Sequence, residues 1–220
     1  CLTKEENFEK CWASICDLLD KRIASGQTIG KELTQISVAI NDNNHYCTCR
    51  NCSKVNYEEG NVAGGTLVRF VNRIAEKVEE NYPGLDVYTI AYTYAKKAPV
   101  THYRDSVIVC YCFDNACYRH PLSYDDCDTK PTTAAGQTVY HNNTDTRELF
   151  EGWPEKANKR YAWYYSASFY WYVCPLPILE KLPEDFRYIA DEGTLGIYAE
   201  GSSRKPNETI YFEDLTGYLE

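Results

Sequence analysis

The stretch ISVAINDNNHYCTCRNC, residues 36–52, opens as a buried strand and then turns abruptly into Asn, Asp, His and cysteine. From Gln35 to Ile40 the chain is short, apolar and β-branched, as a strand covered on both faces should be. An open doubly wound sheet would follow its first strand with a glycine-rich turn that lets backbone amides approach a phosphate. Here Asn41, Asp42 and Asn43 stand at the strand exit instead and offer short polar side chains. In a parallel barrel that exit is where reactive side chains gather. The stretch therefore favours a barrel over an open sheet.

Working outward, residues 4–24 place Phe8, Cys11, Trp12, Ile15, Leu18, Leu19 and Ile23 at three- and four-residue intervals, which predicts a helix with one buried stripe, ended by Gly26. Residues 64–82 repeat the pattern with Leu67, Phe70, Val71, Ile74, Ala75 and Val78, stopped by Pro83 and Gly84. DVYTIAY (86–92), SVIVCYC (106–112), RYAWYYS (160–166) and LGIYAEG (195–201) read as further strands, with helices expected over 145–159 and 183–192. Between them, 114–143 is a long irregular segment of the kind that is often functional. Strands alternating with helices imply parallel βαβ units, hence an α/β fold. Several strand ends are polar or aromatic, which again suits a barrel with its site at the C-terminal ends of the strands.

The chain has 220 residues, 44% of them hydrophobic, enough for a single domain over 1–220. A net charge of -9 argues against a phosphate backbone as partner, so nucleic acid is not expected. No apolar run is long enough to span a bilayer, and no charged-then-apolar leader opens the sequence, so neither a membrane partner nor a signal peptide is expected. There is no methionine at all, which predicts an excerpt of a longer protein, with the remainder of that chain as a partner.

The eleven cysteines are an odd number and cannot all pair within one chain. Cys47, Cys49 and Cys52 have a spacing able to offer three thiolates to one Zn²⁺, with Cys112, Cys117 or His120 as the fourth ligand, Cys117 being the expected one. Disulfides between loops and inert buried thiols stay open as alternatives. In each case the cysteines are expected to brace the loop that presents Asp42, and no cofactor is otherwise required.

Several runs taken together resemble one family. These are CLTKEENF (1–8), the opening stretch, YEEGNVAGGTLVRFVNRIAEKVEENYPGLDVYTIAYTYAKKAP (57–99), VIVCYC (107–112), CYRHPL (117–122), YAWYYSASFYWYVCPLPIL (161–179) and GIYAEGSS (196–203). In that order they resemble the bacterial domain of unknown function 4838, whose members look like distant relatives of α-glucuronidases and β-hexosaminidases. The resemblance implies a glycoside hydrolase-like, TIM-type (β/α)8 barrel, of which this chain would be the C-terminal part, strands four to eight. It also implies a secreted, periplasmic or cell-surface bacterial setting.

Cleaving a glycosidic bond takes a proton donor at the leaving oxygen and a second group at the anomeric carbon, commonly two carboxylates. Asp42 is the candidate acid and Glu58, in the EEG run, the candidate second carboxylate. Where hexosaminidase-type relatives end the fourth strand in a carboxylate pair, this chain has Asn41 and Asp42, so one carboxylate is missing. The plain alternative for Asp42 and Asn43 is an Asx turn, and for Glu58 a favourable charge near a helix start. Glu200, ending the last strand, is expected to accept sugar hydroxyls, as a similarly placed Glu does in hexosaminidase-like barrels. Asn41, Asn43, Tyr92, Tyr94, His120, Trp163, Tyr164 and Tyr198 complete the expected carbohydrate-binding set, since aromatic faces stack on sugars and hydroxyls bind their edges. The expected activity is thus hydrolysis of a complex glycan. A noncatalytic carbohydrate-binding barrel and a metal- or disulfide-stabilised scaffold are the alternatives.

Overall fold

The computed structural model describes residues 1–125, 127, 141–166 and 178–201. Among these, β1 (Gln35–Ser37), β2 (Asp86–Ala91), β3 (Val107–Cys112), β4 (Lys159–Tyr165) and β5 (Gly196–Glu200) form one parallel sheet in the order β1-β2-β3-β4-β5, curled into half a barrel. The expected α/β architecture is therefore present.

The helices are α1 (Glu5–Ala24), α2 (Arg50–Glu58), α3 (Gly65–Asn81), α4 (Asn143–Glu151) and α5 (Leu182–Asp191). Helix α3 buries Leu67, Val68, Val71, Ile74, Ala75 and Val78 and packs on β2 and β3. Each buried Leu, Val or Ile of this set contributes about 1.5–3 kcal/mol relative to exposure. Helix α1 is less well covered than its periodicity predicts, for Phe8, Ile15 and Leu19 are buried while Leu18 and Ile23 stay exposed.

Three expectations need correction. β1 is not covered on both faces: it is a short edge strand, with Ile36 buried between exposed Gln35 and Ser37. The helix expected over 145–159 spans Asn143–Glu151, because Gly152 and Pro154 disfavour its continuation, and β4 already begins at Lys159. α2 lies where a loop was expected. The β2–β3 connection, as its polarity suggested, holds no α-helix and has one 3-10 turn at Thr93–Ala95.

Alternation along the strands separates two faces. Val87, Thr89 and Ala91 of β2, Val109 and Tyr111 of β3, and Ala162 and Tyr164 of β4 are buried on the helix side, where Tyr111, Phe113 and Phe150 pack with ring centroids 4.9–5.2 Å apart. The other, concave face carries Tyr88, Ile90, Cys110, Cys112, Tyr161, Trp163, Tyr165, Tyr198 and Glu200.

The turn from α2 into α3 depends on backbone proximity. A Cβ on Gly65 would lie 2.7 Å from the Cβ of Glu59 and 3.0 Å from the Cα of Asn56, so only glycine fits. Beside it Glu59, 1% exposed, accepts from Arg69 Nε at 2.6 Å, the Thr101 amide at 2.8 Å and the Thr101 hydroxyl at 2.8 Å. Burial alone would raise the Glu59 pKa, but the Thr101 donors and Arg69 outweigh it and hold the carboxyl below its ordinary 4.5. Its stabilising contribution is thus complete above pH 4.5 and disappears as pH falls through the lowered value. Glu59→Gln is expected to cost about 1–3 kcal/mol at pH 7. Urea unfolding should then show the two proteins converging in stability as the pH falls below 4.5, whereas a constant gap would contradict the charge-based account.

Candidate functional site

At the C-terminal ends of the strands, Asp42, Tyr92, Cys112, Trp163, Tyr165 and Glu200 converge with Ile40 and Ile90 on a cleft of about 400 Å³. Asp42 follows β1 and Glu200 ends β5, so carboxylates from the two outermost strands face one space. The Tyr92 hydroxyl donates to Asp42 Oδ1 at 2.8 Å. Trp163 Nε1 donates to Glu200 Oε2 at 2.7 Å, because β4 and β5 pair with Tyr165 opposite Glu200 and place the indole one step along the same face. Glu200 is fixed further by Ser166, whose amide and hydroxyl both donate to its carbonyl.

The turn chemistry belongs to Asn43. Its Oδ1 accepts the His45 amide at 2.8 Å and its carbonyl accepts the Thr93 hydroxyl at 3.2 Å. That is an Asx turn. Asp42 is not needed for it and directs its carboxylate to Tyr92.

Burial and the adjacent Asp42 carboxylate push the Tyr92 phenol well above its ordinary range. Burial likewise drives the Cys112 thiol far up, and takes Cys110, deeper on the same face, to about 11. Both thiols are therefore neutral near pH 7 and poor nucleophiles. An ion pair between buried Lys96 and partly exposed Asp114 stands beyond the ends of β2 and β3, and Asp114 adds negative potential at Tyr92 and Tyr165.

The remaining expected site residues lie elsewhere. Glu58, at the end of α2, is exposed and pairs with Arg69 at 2.9 Å and Lys54 at 3.8 Å; it is not among the residues lining the cleft. Asn41 and Tyr94 line a separate cavity of about 630 Å³ between α1 and the end of β1, where the Tyr94 ring meets Tyr46 at 5.1 Å. Tyr164 points to the helix side and donates to Asp185 at 2.5 Å, as strand alternation requires of a residue next to Trp163. Tyr198 is half-exposed on the concave face against Trp163, with ring centroids 4.5 Å apart. Tyr165, not among the expected residues, faces the cleft; it lies two positions from Trp163, and in a strand that spacing places both on one face.

Among the described residues, six of the cysteines fall into two groups. Cys1, Cys47, Cys49 and Cys52 bring four sulfurs within 4.8 Å of one another. Cys117 is not with them: it groups with His120 and Cys127, the His120 Nδ1 lying 3.5 Å from Cys117 Sγ and 3.1 Å from Cys127 Sγ. His120, stacked on Tyr124, is thus a neighbour of thiols and does not line the cleft. Cys1 was missed because no local spacing connects it to residues 47–52. Both groups have the ligand chemistry for a soft divalent metal.

Among the described residues no helix is long and apolar enough to cross a membrane. A family model described as a domain of unknown function, DUF4838, matches residues 1–219. No curated protein and no solved structure matches the chain.

Proposed function

The chain belongs to the family of domain of unknown function 4838, and from that premise we propose that it binds and hydrolyses a glycan in the strand-end cleft. The observation that carries this reading is the meeting of Asp42 and Glu200 in one cleft floored by aromatic rings. Asp42 acts as the proton donor at the glycosidic oxygen, with Tyr92 orienting its carboxyl group; as that bond breaks, a water molecule attacks the anomeric carbon and returns its proton to Asp42 or to solvent. Glu200, held by the Trp163 indole, accepts two sugar hydroxyls, while Trp163 and Tyr165 offer faces on which a pyranose ring stacks. In this proposal the five strands are the fourth to eighth of a glycoside hydrolase-like (β/α)8 barrel, working on an extracellular or periplasmic glycan of a bacterium.

A second reading is favoured by the position of Glu58. With that carboxylate engaged by Arg69 and Lys54 outside the cleft, a noncatalytic carbohydrate-binding barrel needs only Glu200, Trp163, Tyr165 and Tyr92. Both readings require that the cleft hold a saccharide.

Soluble oligosaccharides ending in uronate or N-acetylhexosamine should quench or shift tryptophan fluorescence, and Trp163→Ala should weaken binding at least about tenfold, the worth of one stacked ring and its hydrogen bond. Retained affinity in Trp163→Ala would remove the cleft from consideration as the sugar site. Turnover that accompanies binding selects the enzyme over the binding module.

A further inference from the structure

We propose that Cys1, Cys47, Cys49 and Cys52 hold one Zn²⁺ as a tetrathiolate that pins the segment ahead of α1 to the loop carrying Asp42. The four sulfurs lie within 4.8 Å of one another, with Cys1 Sγ 3.8 Å from Cys49 Sγ and 3.5 Å from Cys52 Sγ. A tetrahedral ion with zinc–sulfur bonds of about 2.3 Å sets its ligands about 3.8 Å apart, so these separations are those of one coordination sphere. A disulfide would instead bring a pair of sulfurs to about 2.05 Å.

The surroundings suit such an ion. Cys52 is fully buried and forms the floor, while Cys1 and Cys49 are exposed at the rim and leave a path for the metal. The Thr3 hydroxyl lies 3.3 Å from Cys1 Sγ and 3.4 Å from Cys52 Sγ, a placement from which it can donate to a thiolate and steady it. Cys49 is the residue just ahead of α2, at a helix start without a side-chain oxygen cap, so the net negative charge of four thiolates faces the positive end of that helix. Asn7 holds the Cys1 carbonyl from the first turns of α1 at 2.8 Å. Two separate pieces of chain, residues 1–7 and 47–52, thus meet at the sulfurs, and the ion closes residues 1–52 into one ring that contains α1 and β1. Soft thiolate donors at tetrahedral spacing select Zn²⁺ over the hard cations.

The protein at its natural length, purified under reducing conditions, is assayed for metal by mass spectrometry and compared with Cys47→Ser/Cys49→Ser and with Cys1→Ser. Each variant is expected to carry one equivalent of zinc less than the wild type, any ion at Cys117, His120 and Cys127 being common to all three. Cys1→Ser exchanges an exposed rim atom, so its far-ultraviolet circular dichroism should stay native while the metal is lost. Independently, Co²⁺ added to stripped wild type should give the thiolate charge-transfer and tetrahedral d–d bands, and Cys1→Ser should weaken them. Equal zinc in wild type and both variants, another metal in its place, or a disulfide among these four cysteines in alkylated, unreduced protein would overturn the proposal. None of these readouts involves a saccharide, so the metal site and the glycan cleft stand or fall separately.

Discussion

Asp42→Asn is expected to lower glycan turnover by roughly 10²- to 10⁴-fold, equivalent to about 3–5 kcal/mol of barrier, while leaving saccharide affinity and melting temperature close to the wild type. The Asx turn at this strand exit is made by Asn43, which accepts the His45 amide, so the loop does not rely on Asp42. An asparagine at 42 still offers an Oδ1 acceptor to the Tyr92 hydroxyl, now at 2.8 Å from the Asp42 carboxylate. What the amide cannot do is release a proton to a leaving oxygen. Turnover is measured on a chromogenic or reducing-end assay, with binding and melting followed on the same preparations. Undiminished turnover would sink the role assigned to Asp42, and lost turnover with intact binding would support it.

The largest effect on stability is expected at the other end of the sheet's helical cover. Asp185 of α5 is 0% exposed and accepts from the Leu122 amide at 2.6 Å, the Tyr164 hydroxyl at 2.5 Å and Lys181 Nζ at 2.7 Å. These bonds tie α5, β4 and the loop after β3 to a single carboxylate. Asp185→Ala leaves a buried ammonium, a phenol and an amide without an acceptor, a loss of about 3–5 kcal/mol. For a chain of this size that corresponds to a drop on the order of 10 °C in melting temperature. Pairing it with Lys181→Met removes the orphaned charge and should recover part of the loss. A single-variant cost below about 1 kcal/mol would mean that water reaches the site and solvates Lys181.

How far the sequence reveals this molecule depends on how local each signal is. The stripes of α1 and α3 and the apolar runs of β2 and β3 are written in neighbouring residues, and the structure has elements there. Helix α2 escaped notice because RNCSKVNYE buries only Cys52 and Asn56, which leaves no apolar period to detect. In the cleft, Asp42, Tyr92, Trp163 and Glu200 were legible as strand-end residues, since a strand end is itself a local feature. Tyr164 was grouped with Trp163 although adjacent strand residues face opposite sides, and the period of two should have selected Tyr165. Tyr94 was grouped with Tyr92, but Thr93 between them adopts a positive φ of 45°, and Tyr94 ends against Tyr46. Cys1 and Cys52 are separated in sequence by the whole of α1 and β1, and only the fold brings the two together.

The sheet order β1-β2-β3-β4-β5 also sets how the chain can assemble during its synthesis. A parallel strand cannot dock until its entire crossover has been made, and each crossover must close a loop before any ladder bond repays it. Among the described residues each strand lies beside the one synthesised just before it, so an emerging strand meets a completed edge and is not inserted between two earlier strands. The growing sheet thus advances in one direction, from β1 toward β5, and offers a single working edge at each moment to the next segment leaving the ribosome. The connection 92–106, which holds no α-helix, makes the β2–β3 step the shortest of these closures. By loop-closure entropy it costs about 1 kcal/mol less than the step across 113–158, so the middle of the sheet is the pairing most easily regained when the chain refolds.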